Sequence, residues 1–284
     1  WTGIAGDRYY ENAPGADFST VTNEWLEEHV RAKGPLGRAY PRYLFIMEGD
    51  TPSFLNLIAN GLAGHRHPGW GGWGGRYVHR TSHGETRPIW TQGGDAFPGA
   101  PNSRDRVIGV DGKSYTSDQA TIWRWREDFQ HDFAARMDWT IKAFDDANHN
   151  PVVVVNGVEG KEPVRIDARV GEPVIVDATG TRDPDGDALT YKWFAYPEAQ
   201  TGSQVRAAAR IEEEGGEMNI VPLPPRVTIR DGDARRTELH PTAPGETHVI
   251  LAVEDDGQPS LTSYRRIILD VLAERTPLPP SDRD

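Results

Sequence analysis

The pattern of apolar and polar positions divides the chain near residue 156. Ahead of that point, helix-like and strand-like segments alternate. Trp25, Leu26 and Val30 share one side of a helix that Asn23 can cap, running through Ala32 with Gly34 as its stop. Tyr43-Leu44-Phe45-Ile46-Met47 is a continuous apolar run and predicts a strand buried on both faces, of the parallel-sheet kind. Glu48-Gly49-Asp50 follow, then Thr51 as a helix cap and Pro52 at the first helical position. The predicted helix Ser53–Asn60 carries Phe54, Leu55, Leu57 and Ile58, and Gly61 ends it. Strand, tight turn and helix in that order read as an α/β fold. In such folds ligands sit at the carboxyl ends of strands, where Glu48 and Asp50 fall. A long helix is predicted from about Ser117 to Asp145, on the spacing of Ile122, Phe129, Phe133, Met137, Ile141 and Phe144. Asn148-His149-Asn150-Pro151 breaks it, and Val152–Val155 is another short apolar run.

After Asn156-Gly157 the texture changes. Val174-Ile175-Val176, Leu189–Trp193, Val227-Thr228-Ile229, Val249–Val253 and Ile267–Val271 are short β-rich runs, with turn signals at Asp185-Gly186 and Asp256-Gly257. That spacing predicts an all-β, immunoglobulin-like sandwich over 157–276, with an insertion at 198–218 and a frayed tail at 277–284. Residues 1–156 form the α/β part.

Composition narrows the function classes. The net charge of −12 repels phosphate backbones, so no nucleic-acid partner is expected. No run of about 18 apolar residues exists to span a membrane as a helix. With no cysteine, disulfides and thiolate chemistry are excluded. Nine tryptophans and thirty glycines without cysteine fit a secreted or periplasmic carbohydrate-active protein. The chain opens at Trp1 without methionine, and its natural beginning is expected to lie upstream.

The densest chemistry lies in His65-Arg66-His67-Pro68-Gly69-Trp70-Gly71-Gly72-Trp73-Gly74-Gly75-Arg76-Tyr77. So many glycines forbid regular structure, and a long ordered loop is usually functional. Trp70, Trp73, Tyr77 and Trp90 offer flat faces to sugar rings, or else anchor the loop to its domain. His65, His67, His79 and His83 have no cysteine or carboxylate completing a transition-metal set. His149 follows a helix end and reads as a cap. Asp183-x-Asp185-x-Asp187 resembles a calcium loop but fails the EF-hand pattern, with Gly186 at the fourth position and Phe194 where the twelfth-position glutamate belongs. A tight turn between strands is the other reading.

Three segments together resemble one family: Tyr43–Leu55, Gly71–Tyr77 and Asp145-Asp146-Ala147-Asn148-His149-Asn150-Pro151. They are similar to bacterial nucleoside-hydrolase-like proteins labelled cellulose-binding. Asp177–Trp193 resembles the C-terminal sandwich of the same family. The resemblance implies the C-terminal half of a hydrolase-like α/β domain followed by an immunoglobulin-like domain. It also implies a carbohydrate ligand and a calcium ion completed by an aspartate cluster upstream. Asp50 matches by context the later aspartate of that calcium site, and Glu48 is its partner acid or base. The catalytic pair expected is thus Glu48 and Asp50, with Asp50 also on the metal and Trp70, Trp73, Arg76, Tyr77, Trp90 and Asn148 on the substrate. The histidine that precedes the aspartate in nucleoside hydrolases is replaced here by Gly49, which points to another glycosidic substrate. Two functions follow from the resemblance: glycosidic cleavage, with this stretch inactive alone and needing the absent half of its domain or an oligomer partner; or non-catalytic carbohydrate binding on a hydrolase scaffold.

Overall fold

The computed structural model describes residues 4–5, 15–44, 46–80, 84, 86–91, 103–200, 211–214, 217–220 and 224–274. Phe45, His83 and the predicted tail 277–284 lie outside the described residues.

The first part is a string of short elements. Helix α1 (Asn23–Leu26) continues as a π-helical turn over Glu27–Arg31. Its cap is Thr22, one residue earlier than predicted, whose hydroxyl accepts the Trp25 N–H at 3.0 Å. Helix α2 spans Gly34–Arg38 and α3 spans Thr51–Leu55. Strand β1 (Ile4–Ala5) pairs antiparallel with β2 (Ile46–Glu48). This corrects the expected parallel, doubly buried strand: Leu44 is 70% and Ile46 51% exposed, because β2 has one short antiparallel neighbour. Two further antiparallel pairs follow, β3 (Val78–Arg80) with β4 (Ile89–Thr91) and β5 (Asp105–Ile108) with β6 (Ser114–Ser117). The predicted long helix is two, α4 (Ala120–Trp123) and α5 (Arg126–Trp139). The break comes at Trp125, whose ψ of 7° leaves the helical region while its indole turns inward. Ile122, Phe129 and Met137 are buried as the periodicity predicts, whereas Ile141 and Phe144 lie beyond the helix and are exposed.

A small hairpin, β7 (Val154–Val155) with β8 (Val158–Glu159), leads into the second part. There, β9 (Val164–Arg169), β10 (Val174–Asp177) and β11 (Leu189–Ala195) are followed by the hairpin of β12 (Ile211–Glu214) and β13 (Glu217–Ile220). Then come β14 (Val227–Arg230), β15 (Arg236–Pro241), β16 (Gly245–Asp255) and β17 (Thr262–Leu272). They form a three-stranded sheet, β10-β15-β14, and a four-stranded one, β11-β16-β17-β9, in which only β17 and β9 run parallel. Period-two alternation sends Tyr191, Trp193, Val249, Leu251, Val253, Ile267, Leu269 and Val271 into one core with Val176, Val227 and Leu239 of the other sheet.

The opposite face of the four-stranded sheet is covered too. Phe194, Ile250, Ala252 and Tyr264 form a second core with Ile4, Val21, Leu55, Leu62, Trp73, Ile122, Trp125 and Phe129 of the first part. This explains why β16 and β17 are buried at almost every position: a sheet covered on both faces loses the usual alternation of buried and exposed residues. The seam between the parts is therefore a hydrophobic core in its own right.

Candidate functional site

The glycine-rich loop is part of that seam. Gly61 has φ +101°, and a Cβ there would lie 1.9 Å from the Tyr264 carbonyl oxygen; a Cβ on Gly74 would lie 1.8 Å from the Pro52 oxygen. Only glycine permits those approaches. Trp73 is 2% exposed and donates from Nε1 to the Tyr264 hydroxyl at 3.3 Å, so its ring faces are taken by the core. Tyr77 is buried, with its hydroxyl 3.5 Å from Ser53 Oγ. Trp70 is half-buried, stacked on His67 at 3.6 Å and edge-on to His248. Trp90 lies apart on β4, 42% exposed, beside His79.

Arg76 is equally committed. It is 4% exposed, and its Nε donates to Asp105 Oδ1 at 2.8 Å. Asp105 Oδ2 accepts from Arg124 Nη1 at 2.9 Å and from the Tyr196 hydroxyl at 2.6 Å. Burial alone would raise the Asp105 carboxyl, but the two guanidinium groups hold it below the usual range. Glu198 joins them, accepting the Arg106 N–H at 2.9 Å. Asp105, Arg76 and Arg124 belong to the first part, Tyr196 and Glu198 to the second, so this cluster is a polar latch across the seam. Asn148 serves another joint, donating to Asp255 Oδ1 at 3.0 Å and to the Pro259 carbonyl at 2.7 Å.

Glu48 and Asp50 stand apart in role. Glu48 is half-buried: Oε1 accepts from the Tyr40 hydroxyl, and Oε2 from Thr51 Oγ1 at 2.6 Å. Burial and the bond to Glu48 push the Tyr40 phenol well up. Glu48 lines a largely apolar cavity of about 300 Å³ with Tyr40, Phe54, Phe133, Asp132 and Arg136. Asp50 is exposed and does not line it. It occupies the cap position of α3 predicted for Thr51, without a side-chain capping bond. Among the described residues Asp50 belongs to no set of three carboxylate or histidine groups close enough to share an ion.

A second opening lies where the seam parts. Along β11, the residues facing the first part are Thr190, Lys192 and Phe194; the apolar end is closed over, and the polar end opens into a cleft of about 500 Å³. Arg106, Glu127, Asp128, Glu254 and Thr262 line it with Lys192. Asp128 forms the floor, Oδ1 accepting from Thr262 Oγ1 at 3.0 Å and Oδ2 from the Tyr264 hydroxyl. Burial pushes its carboxyl up to about 6, with Glu254 and Glu127 adding to the effect and the two hydroxyl donors opposing it. Lys192 is exposed and forms no ion pair among the described residues. None of these residues stood out in the sequence, although the alternation of Thr190 and Lys192 with Tyr191 and Trp193 marks the stretch of β11 whose outer face is not sealed.

The raised carboxyl has a signed consequence. Between about pH 4 and 6 the folded chain holds a proton on Asp128 that the unfolded chain has released. Its contribution to stability is therefore full below pH 4 and is lost as pH rises through 6. Two pH units correspond to on the order of 2–3 kcal/mol. In denaturant titrations from pH 4 to 7, Asp128→Asn is expected to gain that much relative to the unsubstituted chain. Parallel pH profiles for the two proteins would remove Asp128 as the titrating group.

Two family profiles match the chain. Residues 1–77 match "Cellulose-binding Sde182, nucleoside hydrolase-like domain", and residues 173–271 match "Cellulose-binding protein Sde0182, C-terminal domain". No curated protein matches the chain in sequence. Among solved structures, a nucleoside hydrolase-related protein from Saccharophagus degradans, associated with carbohydrate metabolism, is 28% identical with a TM-score of 0.65. The match covers 95% of this chain but 57% of that protein's length. The fibronectin(III)-like modules of Clostridium thermocellum CbhA are 12% identical with a TM-score of 0.26, covering 62% of this chain and 65% of theirs. Human CDH23 EC21-23 is 14% identical with a TM-score of 0.27, over 43% of this chain and 35% of its own. The last two are too distant to argue from. In two successive segments, the chain resembles the hydrolase-like and C-terminal domains of the nucleoside hydrolase-like proteins described as cellulose-binding.

Proposed function

We propose that this chain binds a carbohydrate, with the seam cleft as the binding site, on a hydrolase-like scaffold. The supporting observation is that one wall of the polar cleft is built by strands of the segment, 173–271, that matches the C-terminal domain of a cellulose-binding family. Sugar hydroxyls are recognised by donors and acceptors held in place, and Lys192, Glu254, Glu127 and Thr190 supply both kinds at the rim. Cellohexaose binding, measured by calorimetry, is expected to weaken about 5–10-fold in each of Lys192→Ala and Glu254→Gln, the effect of losing one hydrogen bond of ~1 kcal/mol. Cellohexaose or cellulose binding that survives the double substitution would place the site elsewhere.

Glycosidic cleavage is the second reading, and Glu48 on a cavity that also holds Asp132 favours it. Hydrolysis needs two carboxyl groups across the bond. In a longer protein Asp50, with carboxylates from outside this chain, would hold a calcium ion; oxygen donors suit calcium, and one carboxylate alone does not suffice. Asp50→Asn in such a protein would then abolish turnover, and undiminished turnover would refute the role. The domain limits 1–156 and 157–276, an immunoglobulin-like relationship for the second, and a secreted or periplasmic location belong to the same reading.

A further inference from the structure

Strand register orders the floor of the seam cleft. Across β11, β16 and β17, Thr190, Glu254 and Thr262 stand in one cross-strand row, and Lys192, Ala252 and Tyr264 in the next. Direct cross-strand neighbours have Cβ atoms about 4.5–5.5 Å apart. Ala252, the smallest of the six, lies between Lys192 and Tyr264, so the second row is hollow at its middle. Asp128 reaches from α5 onto the outer strand of both rows, bonding Thr262 in one and Tyr264 in the other. Along the first row Glu254 is the next side chain beyond Thr262. The Asp128 and Glu254 carboxyl groups thus flank one stretch of the same cleft, which both of them line.

The two carboxyl groups are held differently. Trp73 Nε1 donates to the Tyr264 oxygen, and an indole N–H only donates, so the Tyr264 proton points to Asp128 Oδ2. The Thr262 hydroxyl fixes Oδ1. Each carboxyl oxygen keeps a second lone-pair site, where a transferable proton can sit. Asp128 is half-buried on the floor, and its carboxyl is the one pushed up to about 6. Glu254 is exposed at the rim and accepts the Ser260 hydroxyl on Oε1 at 3.0 Å. The other charged groups lining the cleft are Glu127 from the helix of Asp128, Lys192 from β11, Arg106 from β5 and Arg124 from α4. A carboxyl kept neutral by burial, across from a solvent-exposed carboxylate, is an arrangement suited to paired acid and base catalysis.

We propose that the seam cleft hydrolyses an O-glycosidic bond of the carbohydrate it binds, with Asp128 as the acid and Glu254 as the base. The Asp128 proton passes to the glycosidic oxygen. The bond from the anomeric carbon to that oxygen breaks with its electron pair on the oxygen, and the departing sugar leaves as an alcohol. Water adds to the anomeric carbon and gives up a proton to Glu254. Solvent then returns a proton to Asp128 and takes one from Glu254. The inference rests on the cleft being the carbohydrate site and adds turnover to binding there; Glu48 and Asp50 take no part in it.

Cellohexaose incubated with the chain is expected to yield new reducing ends at pH 5. The rate should fall as pH rises through about 6, where Asp128 loses its proton. Dinitrophenyl β-cellobioside separates the two roles, because its leaving group departs without a proton. Asp128→Asn should slow cleavage of saturating cellohexaose at least ~100-fold, the lower end for a lost acid, and leave the dinitrophenyl substrate nearly unchanged. Glu254→Gln should slow both substrates by a similar factor, since both need the activated water. Cellohexaose binding retained by Asp128→Asn in calorimetry shows that the cleft is still formed. Cellohexaose that binds the unsubstituted chain but stays intact from pH 4 to 7 would overturn the inference and leave the binding reading standing. Absence of binding would overturn both. Equal losses on the two substrates in Asp128→Asn would remove Asp128 as the acid.

Discussion

Asp105→Ala is expected to cost about 3–5 kcal/mol of folding free energy, the range for breaking a buried ion pair on one side. The carboxylate has no solvent exposure and is the shared anion of Arg76 and Arg124. Its removal leaves two guanidinium groups at the seam with Glu198, 3.9 Å from Arg124 Nη1, as their remaining carboxylate. Tyr196, fully buried, also loses its acceptor. Asp105→Asn keeps the shape and one acceptor but not the charge, and should fall between the two. Urea unfolding followed by tryptophan fluorescence reads the loss directly, since Trp125 lies against Tyr196 at 6.0 Å and Arg124 sits over its ring. A loss below 1 kcal/mol for Asp105→Ala would mean that water enters the latch and that the seam is held by apolar packing alone.

The contrast between two apolar runs explains how far the sequence could be read. Tyr43–Met47 and Val249–Val253 are both continuous apolar runs; the second predicts a strand of the sandwich, the first a strand buried on both faces. Only the second is buried on both faces, because β16 lies between β11 and β17 with a core on each side, whereas β2 meets the two residues of β1. Period and hydrophobicity are local quantities; how many neighbours a strand acquires is not. The same limit explains α4 and α5: the spacing of Ile122, Phe129 and Met137 was legible, but not the inward turn of Trp125 toward Phe194 and Tyr264. In the second part the alternation of Leu189–Trp193 could be read directly, as each outward residue had a definite place on one side of a sheet.

The aromatic loop shows the limit for function. Its glycines signalled close backbone packing, and Gly74, with Gly61 just ahead of the loop, allows it. The partners that require those glycines, Tyr264 and Pro52, lie 203 residues ahead and 22 behind, at separations no motif encodes. Trp73, Arg76 and Tyr77 carry the chemistry of sugar recognition, yet the fold spends them on its own interior. Lys192 and Glu254, ordinary surface residues by sequence, end beside an opening. A buried aromatic and a sugar platform have the same local signature; only the second surface distinguishes them.

Arg266→Ala is expected to weaken the seam about as much, by about 3–5 kcal/mol, for a different reason. Arg266 is fully buried, and among the described residues no carboxylate pairs with it. Its Nε donates to the Leu62 carbonyl at 2.8 Å, its Nη2 to those of Trp70 and Gly71 at 3.1 and 3.2 Å, and its Nη1 to His248 Nδ1 at 3.0 Å. Burial lowers the guanidinium to about 10, so it stays charged at neutral pH. Burial likewise takes His248 down to about 4, leaving a neutral ring that accepts from Arg266 and donates from Nε2 to Glu246 at 3.1 Å. One side chain of β17 thus satisfies three carbonyls of a loop too rich in glycine to satisfy them itself. Truncation to alanine leaves those carbonyls buried without donors, each costing on the order of 1–3 kcal/mol, offset by no longer burying a cation. Lysine is not a substitute, since a single ammonium cannot span acceptors on Leu62, Trp70 and His248. Hydrogen exchange separates this loss from that of Asp105: protection should fall first at residues 61–77 while the β10-β15-β14 sheet keeps its own. Uniform loss of protection throughout the chain would show that the loop and the second part unfold as one unit, with Arg266 no more than another core contact.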